Sequence, residues 1–217
     1  MLEIRYVYEW PVRICHWVNV LSIVMLSITG FYIGSPFMTA QDTSQYVMGW
    51  MRFLHFSFAY LFTVSVASRI LWMFIGNHHA SWKVFFPWLT AEGRRNFIKM
   101  FRYYTFTGRQ ISYEVGHNPV AATAYLGVFC LFLFQIVSGF ALYGQFAPGG
   151  FWNGLTGWAL TLVGSQWLRL LHHGVMWLLA GFFINHVYSA WLMDVKERNG
   201  TLSGIFSGYR FIEPKDL

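Results

Sequence analysis

The sequence predicts an all-α integral membrane protein, a four-helix bundle in a single membrane domain spanning residues 1–217. Three observations lead there. Of the 217 residues, 56% are hydrophobic and 11% charged, whereas a soluble domain carries about a quarter charged residues. Four stretches, roughly 14–34, 53–75, 120–143 and 170–193, are apolar over the ~20 residues a helix needs to cross a bilayer. Lysine and arginine also alternate between connecting segments. Arg5 and Arg13 sit at the N-terminus. The loop 77–118 holds Lys83, Arg94, Arg95, Lys99, Arg102 and Arg109, and the tail 194–217 holds Lys196, Arg198, Arg210 and Lys215. Segments 35–51 and 144–168 contain neither residue. Basic residues concentrate on the cytoplasmic side, so both termini and the basic loop are expected there.

Residues 1–12 mix charge with aromatics and lack an apolar core with a small-residue cleavage site, so no signal peptide is expected. The first span opens near His16 and ends in a GxxxG motif, Gly30–Gly34, compatible with close helix packing. The second carries His55 near its outer end and Arg69 near its inner end. In the basic loop, Phe97, Phe101 and Tyr104 recur at helical spacing among Arg94, Arg95, Lys99 and Arg102. This pattern fits a helix lying on anionic lipid. It equally fits a loop whose charge serves topology alone.

The third span follows Asn118–Pro119, a dipeptide that reads as a helix cap followed by proline at the first helical position. Residues 151–167 are uncharged, but Gly154, Gly157, Gly164, Asn153, Ser165 and Gln166 dilute their hydrophobicity. A fifth crossing would also separate the termini. This stretch is expected to lie as an aromatic segment at the membrane surface. Cys15 and Cys130 fall in apolar segments and read as packing residues. Two cysteines make no disulfide framework, and there is no CxxCH for a covalently attached haem. No nucleic-acid motif or repeat is present.

The fourth span, within RLLHHGVMWLLAGFFINHVY, carries His172, His173 and His186. His172 and His186 are fourteen residues apart, about 40° short of four turns. They therefore share one face about 21 Å apart along the axis. Depth pairs His55 with His172 near the outer surface and His16 with His186 near the inner one. A lone histidine on an apolar helix is usually a hydrogen-bonded core residue. Four in two depth-matched pairs point to two haems stacked across the bilayer, each held by two histidines, since ionisable groups inside a membrane are costly. Two axial histidines leave iron no open position, which suits electron transfer. His173 is turned ~100° from His172 and is the lesser candidate. His78 and His79 are expected in an exposed loop.

Arg13, Arg52 and Arg169 each lie three residues before His16, His55 and His172, and Arg69 lies fourteen after His55. Each is placed to pair with an anionic haem propionate. Snorkelling to the interface is the competing account, and for Arg69, at the inner depth, the propionate role is preferred.

RICHWVNVLSIVMLSITG, residues 13–30, resembles the first-span signature of the cytochrome b subunit of membrane-bound nickel–iron hydrogenases. RLLHHGVMWLLAGFFINH, residues 169–186, resembles that family's fourth-span signature, including the H-x13-H spacing, Trp177 and Phe182. Leu170 and Gly174 depart from it. GHNPVAATAYLG, residues 116–127, and SGFALY, residues 138–143, fit around its third span. The resemblance implies two haems b ligated by His16 with His186 and by His55 with His172. It implies electron flow from the iron–sulfur clusters of a periplasmic hydrogenase small subunit, through the outer and then the inner haem, to quinone. It further implies contact with the small subunit's C-terminal membrane helix, with the large subunit behind it, in a bacterial inner membrane. The chain lacks cysteine clusters for nickel or iron–sulfur binding, so it would not react with hydrogen by itself.

His117, Asn118 and Glu114, where the basic loop enters the third span, are the candidate quinone site, with Asn118 or His117 donating to a carbonyl and Glu114 or His117 relaying protons. Capping by Asn118 alone explains the same residues. Formate dehydrogenase and thiosulfate reductase subunits share the di-haem plan, and a stand-alone quinone-reactive cytochrome b is a further alternative. A transporter or haem-free membrane anchor is the reading from another class, against which stands the absence of inverted repeats or broken spans.

Overall fold

The computed structural model describes residues 3–40, 42, 44–108, 119–197 and 200–212. The elements run β1 (Glu3–Tyr6), α1 (Trp10–Gly34), α2 (Val47–Ile75), α3 (Ala91–Tyr104), α4 (Pro119–Gly144), α5 (Phe151–Thr156), α6 (Trp158–Val163), α7 (Ser165–Glu197), α8 (Thr201–Ser207) and β2 (Tyr209–Ile212), with three short 3₁₀ turns between α2 and α3. Among the described residues four helices, α1, α2, α4 and α7, are long and apolar enough to cross a membrane. They run past the apolar stretches because a helix satisfies its own backbone through hydrocarbon and interface alike. Breakers stop them: Gly34 closes α1, Gly144 closes α4, and Gly164, at φ +82, separates α6 from α7. Pro119 opens α4, where its missing N–H costs nothing. The segment between α4 and α7 folds as α5 and α6, six residues each. At about 1.5 Å per residue neither approaches a membrane's thickness. The basic stretch is helical as α3, its N-terminus capped by the Thr90 hydroxyl, which accepts from Gly93 N at 3.0 Å.

The chain divides into two compact units: Met1–Ile14, Arg69–Cys130 and Phe183–Leu217 in the first, Cys15–Ser68 and Leu131–Phe182 in the second. The first unit gathers the two ends of the chain. β1 and β2 pair antiparallel, Glu3 opposite Ile212 and Tyr6 opposite Tyr209. The Gly208 carbonyl accepts from Val7 N and Tyr8 N at 2.8 and 3.0 Å. Gly208 has φ +92, and a Cβ there would stand 2.5 Å from the Tyr6 ring, so this position needs glycine. Strand pairing brings the two ends of the described chain together.

Glu9 ties the start of α1 to the end of α2. Its Oε2 accepts from Trp72 Nε1 and Asn77 N, both at 2.8 Å, while Asn77 Nδ2 donates to the Val7 carbonyl at 3.1 Å. Glu9→Ala leaves two donors unpaired and is expected to destabilise the protein by ~1–3 kcal/mol, with Glu9→Gln losing less. Thermal unfolding in detergent checks this: an unchanged Glu9→Ala transition would mean that water replaces the carboxylate.

The second unit packs mainly through aromatics. Phe62 meets Phe132 edge-on at 5.0 Å, and Trp152 of α5 stacks on Phe140 of α4 at 3.8 Å. Trp152 Nε1 donates to the Tyr60 hydroxyl of α2 at 2.6 Å. Ala141, Ala159 and Leu168 form a small buried cluster beneath, whereas Phe151, Leu155, Trp158, Leu162 and Trp167 stay exposed. The segment between α4 and α7 is thus anchored by one tryptophan and leaves its other aromatics outward.

Candidate functional site

The second unit brings together His55 of α2 and His172 of α7. Thr29 of α1 reaches the first: its Oγ1 lies 2.9 Å from His55 Nδ1. Ser138 of α4 reaches the second, with Oγ 2.7 Å from His172 Nδ1. Both hydroxyl residues are almost fully buried, each 1% exposed. A glycine follows each. A Cβ on Gly30 would stand 3.1 Å from His55 Cε1, and one on Gly139 would stand 3.2 Å from His172 Cε1. Each imidazole therefore has a hydroxyl against one edge and bare backbone beside it. The two rings lie within electrostatic range of one another.

His173 has a different environment from its neighbour. Its Nδ1 bonds the Arg169 carbonyl one turn back at 3.0 Å, and its Nε2 faces Gly34, where a Cβ would come within 2.5 Å. Gly30 and Gly34 thus face the His55 and His173 rings, so this GxxxG serves imidazole clearance. Arg52 is exposed with its guanidinium 5.8 Å from the Phe146 ring centroid, and exposed Arg169 donates to Gln145 Oε1 at 3.4 Å.

His186 belongs to the first unit, where Tyr125 of α4 meets its ring edge-on at 5.8 Å. His16 belongs to the second unit, beside Trp17. Arg13 and Arg69 are both buried in the first unit. Arg13 donates to the Phe206 carbonyl and lies over the Trp10 ring, 4.5 Å from its centroid. Arg69 donates to the Ala80 carbonyl through both terminal nitrogens at 3.2 Å, with Phe85 5.6 Å away. Each guanidinium thus holds a backbone carbonyl within the first unit. His117, Asn118 and Glu114 lie outside the described residues. His78 is exposed, but His79 is half-buried, contrary to the expected exposed loop. Burial, then the neighbouring His78 and Arg210, lower its pKa, so the neutral form is favoured.

The model of the prokaryotic cytochrome b561 family matches residues 7–208. The chain belongs to this family. A probable Ni/Fe-hydrogenase B-type cytochrome subunit of Cupriavidus necator is 42% identical over 214 residues, covering 96% of this chain and 88% of that protein. One of Rhodobacter capsulatus is 40% identical over 212 residues, covering 94% and 80%. A probable Ni/Fe-hydrogenase 1 B-type cytochrome subunit of Escherichia coli K12 is 35% identical over 214 residues, covering 95% and 90%.

A cytochrome b carries haem b, and the residues at the His55–His172 level fit that group. The iron ligand must be an unprotonated ring nitrogen, while the other nitrogen holds a hydrogen-bond partner. Here Nδ1 of both rings has such a partner, so an iron held by these residues would take Nε2. The flanking glycines leave room a methyl group would take. The sequence alone does not mark Thr29, Ser138 or Gly139, and in it Gly30 reads as a helix-packing residue. A signal is present: Thr29–Gly30 and Ser138–Gly139 both fall near the C-terminal ends of apolar helices. A buried Thr or Ser in a helix ordinarily bonds its own preceding turn, which hides the signal.

Proposed function

We propose that this chain is the membrane electron-transfer subunit of a nickel–iron hydrogenase, anchoring the enzyme on the periplasmic face of a bacterial inner membrane and delivering its electrons to quinone. The observation that carries this reading is the hydroxyl-held His55–His172 pair, in a member of a cytochrome b family whose relatives are named as hydrogenase subunits. Bound haem b would supply a one-electron iron couple, and His55 and His172 together holding it would suit electron transfer over oxygen binding.

His55 and His172 hold the outer haem, and His16 and His186 the inner one. The fourteen-residue spacing on α7 sets the two levels ~21 Å apart. Arg52 and Arg169 are the propionate partners at the outer level, and Arg13 and Arg69 at the inner. The lysine and arginine distribution supports cytoplasmic termini. The exposed cations of α3, Arg94, Arg95, Lys99 and Arg102, face anionic lipid on that side. A single C-terminal helix of the small subunit docks against this chain and links it to the large subunit. Quinone is taken up at the cytoplasmic side, where Asn118 or His117 donates to its carbonyl and Glu114 or His117 relays protons. Protons consumed there and released by hydrogen oxidation outside would build a proton-motive force.

A reduced-minus-oxidised spectrum of the purified chain, with haem quantified, tests the reading together with hydrogen-driven quinone reduction by the intact complex. Two low-spin b haems per chain, and a nickel–iron protein co-purifying, are expected. One haem would break a ligand pair, and none would return the chain to the anchor or transporter class. Two haems without a nickel partner would favour the stand-alone cytochrome.

A further inference from the structure

The hydroxyls beside the two outer histidines are oriented by their own helices. Thr29 Oγ1 lies 2.6 Å from the Met25 carbonyl, one turn back, as well as 2.9 Å from His55 Nδ1. A hydroxyl has one hydrogen, and a carbonyl can only accept. The Thr29 hydrogen therefore goes to Met25, and its lone pair faces the ring. His55 Nδ1 must then carry the N–H, and Nε2 is bare. Ser138 is placed similarly against the second ring, its Oγ 2.7 Å from His172 Nδ1, with the Gln135 carbonyl 3.3 Å behind it as the acceptor for its hydrogen when Nδ1 carries the N–H. With the adjoining glycines, one hydroxyl–glycine dipeptide on α1 and another on α4 seat the two imidazoles in the same way.

We infer that Thr29 and Ser138 are positioning residues for a shared iron site: by accepting from Nδ1–H they lock His55 and His172 in the tautomer with bare Nε2 and lower the redox potential of the haem between them. This rests on the haem reading above. The physical reason is that an acceptor at Nδ1 pulls the N–H proton outward and makes Nε2 a stronger donor to iron, which favours the ferric state. The hydroxyls sit on two different helices, yet both act on one haem, and the His16–His186 haem is untouched. A merely space-filling Thr29 and Ser138 would leave the potentials as they are.

The test is a potentiometric titration of the intact complex, with haem content and low-temperature electron paramagnetic resonance, for Thr29→Val, Ser138→Ala, their double, and Thr29→Ser as the conservative control. The expected result is two haems per chain throughout. One midpoint rises in Thr29→Val, the same one rises in Ser138→Ala and further in the double, and Thr29→Ser stays at wild type. The resonance of that haem shifts with it. Unchanged midpoints in the double variant, or two different haems responding to the two single variants, overturn the inference while leaving the haem reading intact. If Thr29→Val fails to retain both haems, the Ser138→Ala titration decides by the same criterion. A wild-type chain without haem sinks the haem reading itself, a result visible before any variant is made.

Discussion

Replacing His55 and His172 together by alanine is expected to leave one low-spin haem per chain, whereas replacing His55 and His16 together is expected to leave none. The first pair empties a single level and keeps the other level's two ligands. The second takes one ligand from each level, so neither haem retains two histidines. Both variants should reduce quinone with hydrogen at background rate while the hydrogenase still reduces a soluble dye, because the proposed function leaves the hydrogen chemistry to the partner chains. Haem per chain and the low-spin spectrum report the pairing without reference to turnover. The opposite pattern, with the His55/His16 variant keeping one intact bis-histidine haem, would mean that the histidines pair otherwise than by depth. The expectation depends on α7 carrying both His172 and His186 on one face, which helix geometry alone requires.

A larger side chain at the two glycines beside the outer ligands is the second change expected to have a large effect. Gly30→Leu and Gly139→Leu are each expected to deplete the outer haem. A Cβ alone would already stand 3.1 or 3.2 Å from an imidazole Cε1, closer than the ~3.5–4.0 Å at which carbon atoms sit comfortably. The remaining atoms of leucine would force the ring aside. Gly127→Leu is the control, since nothing lies within 4 Å of a Cβ at that position and the residue is exposed. It should keep two haems. Equal haem loss in all three would mean that glycine is needed for the helices and has no special relation to the ligands. Full haem content in Gly139→Leu would remove the cradle from the account of the site.

Much of the molecule is legible in one dimension. The four spans follow from apolar length, and the weak segment between α4 and α7 follows from its glycines and amides, which leave two six-residue helices in place of a crossing. Other features depend on partners remote in sequence. β1 and β2 are four residues each and pair across some two hundred positions, with no local turn to announce a hairpin. Gly30–Gly34 has the spacing of a helix-packing motif, but only the facing side chains reveal that His55 and His173 occupy that space. Nothing near Arg13 in the sequence announces that it also donates to the Phe206 carbonyl, nearly two hundred residues later. His79 is half-buried and feels the charge of Arg210 in β2, some hundred and thirty residues later.

The sequence by itself determined the number of spans, the alternating basic segments, the family motifs and the place of each histidine along its helix. All of these follow from local rules: length, charge, and the 100° turn of a helix. Only the tertiary structure decided how each helix is rotated about its axis, and so that Thr29 meets His55, Ser138 meets His172, and glycine lies beside each ring. Helix rotation is set by packing against neighbours, and in an apolar membrane helix nearly every face reads alike from the sequence.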